Sequence, residues 1–226
     1  MAGEICWEAR RDSGDPVNSK IQGPQKHPMT WPEPITLQGA LATLEPLAQS
    51  HHDDLVEAAR DGELWNLWYT IVPTPEKMCE EIERRLKLRA EGSMLPFTVI
   101  DNASGKAVGM TTYMHIDATN KRVEIGSTWY RKGVQRTGIN TECKFLLLQH
   151  AFETLKCIAV ELRTNFFNHS SRRAIERLGA KLDGILRSHV LMPNGTRRDS
   201  CVYSIIDGEW SAVKAHLEWQ MKKPRE

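Results

Sequence analysis

The chain is poor in features that mark a special environment. Its 226 residues include five cysteines (Cys6, Cys79, Cys143, Cys157 and Cys201), an odd number, widely spaced and without a C-x-x-C pair. That pattern supports neither a disulfide framework nor a thiolate zinc site. Cys143 and Cys157 fall at apolar positions and read as small core fillers. No apolar run approaches the length of a membrane span, and no signal-peptide core stands at the N-terminus. Neither sign of charge is in excess: 30 basic against 29 acidic residues give a formal net charge of +1. A near-neutral balance carries no electrostatic footprint for generic nucleic-acid binding. These absences lead us to expect a cytoplasmic protein without metal, membrane or nucleic-acid partners.

What the chain does contain is enough apolar material for a core. Hydrophobic residues make up 40% and charged residues 26%, which excludes global disorder. Residues 1–34 hold five of the eleven prolines, with Trp7 and Trp31 but no periodic apolar pattern. Pro28, Pro32 and Pro34 discourage helix and central strand alike, so residues 1–34 are expected to form an extended arm. Its tryptophans would pin it to the globule or to a partner subunit. Residues 35–226 are expected to be one folded domain.

Within that domain the periodicities alternate. Thr36 to Leu47 reads as a first strand. Ser50-His51-His52-Asp53 then resembles an S-x-x-D capping box ahead of a short helix. His51 and His52 are adjacent, point about 100° apart on a helix, and so do not share an ion readily. Trp65, Trp68 and Tyr69 have the spacing of one helical face, either core or the wall of a substrate groove. Thr74-Pro75 starts a helix that runs to about Ala90. Period-two runs at 97–101, 108–116 and 123–130 form a meander, and Ile158 to Thr164 is a later strand. A hairpin turns at Asn194-Gly195, and Trp210 to Met221 closes the chain as a helix. The predicted order is β-α-α-β-β-β-α-β-α-β-β-α, a mixed α/β (α+β-like) domain.

Chemistry concentrates between Val123 and Leu182. Gln135 to Asn140 precedes a long helix, whose first N–H groups and positive dipole end suit a diphosphate. Gly138 would allow close approach, and Arg136 would add a charge-assisted contact. Taken alone, the loop reads more readily as a plain strand–helix connection. Glu124 alternates with Val123 and Ile125, so it faces away from them; it reads as a base or as a structural carboxylate. His115 and His189 are alternative bases. Asn168 either touches a ligand or caps the last short helix.

Together these residues resemble the GNAT superfamily of acetyl-CoA-dependent N-acetyltransferases, especially the branch acting on ribosomal-protein N-termini. Gln135-Arg136-Thr137-Gly138-Ile139-Asn140 resembles the family's Q/R-x-x-G-x-G/A loop. Glu124-Ile125-Gly126, Asn168-His169-Ser170-Ser171 and Arg177-Leu178-Gly179-Ala180 resemble the branch's E-I-G, N-x-x-S and R-L-G-A motifs. The resemblance spans about Thr36 to Met221. It implies a mostly antiparallel central sheet, splayed at the cofactor strand and flanked by helices. It also implies direct acetyl transfer to a primary amine, with no covalent enzyme intermediate. Acetyl-CoA would contact Thr128, Trp129, Tyr130, Gln135, Arg136, Thr137, Gly138, Ile139, Asn140, Thr141, Asn168 and Ser171. Glu124 would be the general base, and Ser171 would protonate the leaving thiolate. Trp65, Trp68, Tyr69 and Arg187 would line the acceptor groove. Asn140 departs from the small residue expected there, although asparagine tolerates the turn. A peptide or protein α-amine is the expected acceptor. A small-molecule amine, a non-catalytic acyl-CoA-binding module and a homodimeric assembly are the other readings.

Overall fold

The computed structural model describes residues 31–223. Of the expected arm, residues 1–30, including Trp7, lie outside the described residues; Trp31 packs against the main core, with Lys121 Nζ 4.8 Å from its ring centroid. The element order follows the sequence reading: β1 (Leu37–Gln38), β2 (Ala42–Pro46), α1 (His52–Arg60), α2 (Met78–Ala90), β3 (Met94–Asp101), β4 (Lys106–Asp117) and β5 (Arg122–Tyr130). Then come α3 (Ile139–Gln149), β6 (Ala159–Asn165), α4 (His169–Arg177), β7 (Lys181–Leu191), β8 (Arg197–Ile206) and α5 (Asp207–Lys222). A π-helical turn, His150–Thr154, extends α3.

Two details differ from the sequence reading. The first strand is a hairpin, because the chain reverses between Gln38 and Ala42. The box at Ser50 does not form: His51 closes the helix start instead, its Nδ1 accepting from Ala48 N–H at 3.2 Å.

All eight strands form one sheet, in the order β1-β2-β3-β4-β5-β6-β8-β7. Each neighbouring pair is antiparallel except β5–β6. Alternation then sends successive residues to two cores. Tyr113, Val123, Ile125, Val160, Leu162 and Tyr203 face α3 and α5 in the larger one. Ala107, Met110 and Trp129 face α1 and α2 in the smaller. A Leu or Phe buried this way contributes about 1.5–3 kcal/mol, so both helical layers are held firmly.

What positions the site is where the sheet fails to close. β5 and β6 pair only at Arg122–Ala159, Val123–Val160 and Glu124–Glu161. Beyond Glu124, β5 continues against β4 alone, and β6 continues against β8 alone. The register between β4 and β5 slips twice, beside Ser127 and beside His115, each with a φ of 47°. An extra residue bends a strand and increases its local twist. The bulge at Ser127 therefore accompanies the separation of β5 from β6, and the sheet opens into a wedge with Glu124 at its apex.

Candidate active site

The β5 side of the wedge leads directly into the loop before α3. Gln135 Nε2 donates to the Tyr130 carbonyl at 3.0 Å, tying the loop to the strand end. The Thr137 hydroxyl donates to the Val134 carbonyl at 2.6 Å, and Arg136 takes a φ of 63°. The first backbone bond of α3 runs from Glu142 N–H to the Gly138 carbonyl at 3.0 Å. The N–H groups ahead of that bond have no partner within the helix; that of Ile139 donates to Thr137 Oγ1 at 3.4 Å. Asn140 is half-buried in this first turn. Trp129, Tyr130 and Ile139 are buried in the cores. Their side chains therefore pack the interior, leaving only backbone groups for the wedge.

Two buried charges hold this side rigid. The Glu142 carboxylate accepts the N–H groups of Ala40, Leu41 and Ala42 at 2.9, 2.7 and 2.8 Å. It thereby fastens the β1–β2 turn to the start of α3. A Cβ on Gly39 would stand 2.5 Å from Glu142 Oε2, so the turn needs glycine there. Lys144 Nζ donates to Thr128 Oγ1 at 2.7 Å and Thr111 Oγ1 at 3.1 Å, bridging α3, β4 and β5. Burial lowers its pKa to about 8. Burial also pushes the Cys143 thiol up to about 12, so this cysteine is a filler and not a nucleophile.

The apex is a ladder of opposite charges. Glu124 is 4% exposed; its Oε2 lies 2.8 Å from His115 Nδ1 and 3.2 Å from Arg163 Nε. An ionised carboxylate there places the imidazole proton on Nδ1 and leaves Nε2 as an acceptor. Arg163 Nη2 also donates to Glu161 at 2.8 Å, and Arg122 Nη2 donates to Glu161 at 2.6 Å. Burial would raise the Glu161 pKa, but the hydrogen bonds from Arg163 and Arg122 outweigh it and hold it low. Glu124 and His115 are therefore brought together. His189 is not part of this cluster: its Nδ1 pairs with Ser200 Oγ at 3.0 Å.

The wide end of the wedge lies at the β6–α4 junction. Asn168 Oδ1 accepts the Ser171 N–H at 3.0 Å, so Asn168 caps α4, with Ser171 half-buried in the first turn. Trp65, Trp68 and Tyr69 do not share a helical face. Leu64–Asn66 is a single 3-10 turn, because α1 has ended at Arg60 and the backbone turns left-handed at Gly62 and Glu63. Trp65 packs on the smaller core, whereas Trp68 is 49% exposed. Trp68 meets Phe167 with ring centroids 5.6 Å apart and Tyr69 edge-on at 5.7 Å. That contact joins the α1–α2 connection to the β6–α4 connection. Arg187 is mostly exposed, and its Nε pairs with Asp199 at 2.6 Å. This contact is a surface ion pair across the β7–β8 hairpin.

Sequence reasoning missed Glu161, Arg163 and Phe167. A signal was present: Glu161 and Arg163 alternate with the core residues Val160 and Leu162, which puts charge on one face of a central strand. Among the described residues, no group of three His, Cys, Asp or Glu side chains is placed to hold a metal ion. No described helix is long and apolar enough to cross a membrane.

The geometry has known counterparts. Residues 42–181 match the family model described as acetyltransferase (GNAT) domain. The chain is 33% identical to a GCN5-related N-acetyltransferase from Brucella melitensis, covering 84% of this chain and 86% of that one with a TM-score of 0.76. RimL, a ribosomal L7/L12 alpha-N-protein acetyltransferase solved in complex with coenzyme A, is 18% identical. The match covers 76% of this chain and 99% of that one with a TM-score of 0.66, a likeness of fold. No curated protein matches the chain.

Proposed function

The chain belongs to the acetyltransferase (GNAT) domain family, whose members use acetyl-CoA, and from that premise we propose that its acceptor is the α-amine of a peptide or protein. The observation carrying this choice is the uncovered face of the sheet beyond the wedge. α1 and α2 pack on β3 and β4, while Cys201, Tyr203 and Ile205 turn to the core on the other side. On the remaining face of β6 and β8, Glu161, Arg163, Val202 and Ser204 are only half-buried beside Glu124, a platform that accommodates an extended chain.

The residues present fit acetyl-CoA: a helix start whose first N–H groups have no partner within the helix, a glycine in the loop, and a strand edge left unpaired beside it. The N–H groups from Arg136 to Thr141 would hold the diphosphate, and the backbone of Thr128 to Tyr130 would line the pantetheine arm. When bound, acetyl-CoA supplies an acetyl group activated as a thioester. Glu124, with His115 Nδ1 2.8 Å from it, would accept a proton from the incoming ammonium. The freed nitrogen would then bond to the acetyl carbon as the carbon–sulfur bond breaks. Ser171, positioned by the α4 cap, would pass its proton to the departing sulfur and take up the second proton that the acylated nitrogen gives up. Trp68 and Phe167 form the entrance on the acceptor side.

The test is to incubate the protein with acetyl-CoA and a mixed panel of N-terminal peptides and small amines, following thiol release. Peptides are expected to be the better acceptors. Turnover confined to small amines would replace the acceptor assignment, and absence of any turnover would remove the catalytic reading of Glu124.

A further inference from the structure

Arg85 occupies a place on α2 where an apolar residue is expected. Met78, Ile82 and Arg85 recur at helical spacing as the buried residues of this helix, so a guanidinium stands in the stripe that faces the sheet. It is 3% exposed. Its Nε donates to Glu81 Oε1 at 2.6 Å, its Nη1 to Thr112 Oγ1 at 2.8 Å and its Nη2 to the Ser127 carbonyl at 3.3 Å. The last two contacts lie on β4 and β5, at the first of the two register slips. There Met110 pairs with Trp129 and Thr112 with Gly126, so Ser127 and Thr128 stand against Thr111 alone. Ser127 carries the φ of 47°. From the opposite layer Lys144 donates to Thr111 and Thr128, the other residues of the same bulge. Each helical layer thus sends one buried cation to the stretch of β5 just beyond its last pairing with β6.

Stability alone does not account for a charge in this position. Replacing a buried ion pair by apolar side chains of similar volume is often neutral or stabilising. What an arginine adds is direction, because its planar fork fixes two acceptors in one plane. The Ser127 carbonyl is one of them. In a planar trans peptide the Thr128 N–H then points the opposite way, away from the guanidinium. Arg85 therefore sets the rotation of the peptide that opens the Thr128–Tyr130 segment. With that donor removed, the cost of a positive φ at a non-glycine residue favours a relaxed, flatter strand. We propose that Arg85 is a positioning residue for acetyl-CoA, holding the Ser127–Thr128 peptide in the orientation that presents the β5 backbone to the pantetheine arm. The inference rests on the reading above that this backbone lines that arm. Thr112 is the second anchor of the fork. Glu81, which also accepts from Arg84 Nε and Nη2 at 2.7 and 2.9 Å, aims the guanidinium.

The experiment measures acetyl-CoA binding by calorimetry in the wild type and three variants, with a thermal melt of each. Arg85→Met combined with Thr112→Val removes the cation together with the hydroxyl it serves, and leaves Glu81 its contacts with Arg84. The melting temperature of this double variant should stay within several degrees of wild type. Acetyl-CoA should nevertheless bind it about tenfold more weakly, or worse. Arg85→Lys, which keeps the charge but loses the fork, should fall between. Leu55→Ala opens a cavity in the smaller core from α1 and leaves every hydrogen bond of Arg85 in place. It should lower the melting temperature at least as much as the double variant, with affinity within about twofold of wild type. Unchanged affinity in the double variant, an equal loss in Leu55→Ala, or failure of the double variant to fold would overturn the inference, the last by making Arg85 purely structural. Failure of the wild type to bind acetyl-CoA would count against the acetyl-transfer reading instead, which keeps the two failures distinguishable.

Discussion

The two sides of the wedge in the sheet are built from different material. The β5 side is one continuous run of chain, strand to loop to helix. Two of its charged side chains are turned inward: Glu142 accepts three backbone N–H groups and Lys144 donates to two threonine hydroxyls. What it offers a ligand is mainly backbone, with Arg136 exposed in the loop. The β6–β8 side is assembled from separate strands, and it offers side chains: Glu161 and Arg163, set against Glu124 and His115. Backbone N–H groups at a helix start recognise a diphosphate whatever the neighbouring side chains are. Charged side chains at fixed positions discriminate among acceptors. The contrast teaches that donor binding and acceptor chemistry should be separable by substitution.

The largest expected effect lies at the apex. Glu124→Gln should lower turnover by about 10²–10⁴-fold, the usual contribution of a positioned general base, while calorimetry should find CoA affinity within about twofold of wild type. Equal losses in turnover and affinity would break the separation. Next is Lys144→Met, on the donor side. Because burial lowers the folded-state pKa of Lys144 from 10.5 to about 8, the unfolded chain binds more protons between those values. Its contribution to stability therefore rises with pH across that window, by on the order of 3 kcal/mol. Urea unfolding at pH 7.5 and 10.5 should show this rise in the wild type relative to Lys144→Met; parallel stability curves would show that Lys144 is not desolvated.

A third variant tests the turn that the donor side depends on. Glu142→Ala leaves the N–H groups of Ala40, Leu41 and Ala42 without their acceptor, at about 1–3 kcal/mol for each that water does not reach. Thermal melting should fall by roughly 6–12 °C for a loss near 3 kcal/mol, with CoA affinity weakened as the helix start loosens. The smallest effect belongs to the cap of α4. Asn168→Ala should cost about 1 kcal/mol and a few degrees in melting temperature. A CoA affinity that drops with it by more than about tenfold would give Asn168 a ligand contact in addition to its cap, and would sharpen the comparison by placing a donor contact on the far side of the wedge.

How much of this was legible in the chain follows the same division. The donor side is local, and local rules describe it: alternation across Val123 to Tyr130, loop chemistry at Gly138, and a helix after Ile139. The acceptor side was read only in fragments. Arg187 was assigned to the groove because its sequence position fits a hairpin beside the site, and its partner is Asp199 across that hairpin. Trp65, Trp68 and Tyr69 have helical spacing, but the left-handed turn at Gly62 and Glu63 ends the helix before it reaches them. Phe167, which meets Trp68, is almost a hundred residues away in the chain.

By itself the sequence determined the mixed α/β order of elements, the alternation across β5 and the start of α3 just after Gly138. Each of these depends on spacing within a few residues. Tertiary structure alone decided where β5 and β6 part, and that Glu124 sits at the apex between His115 and Arg163. The reason is physical. An ion pair or a strand separation is set by side chains and edges brought together from distant stretches, and neither period nor propensity records which of several eligible partners a charge will meet.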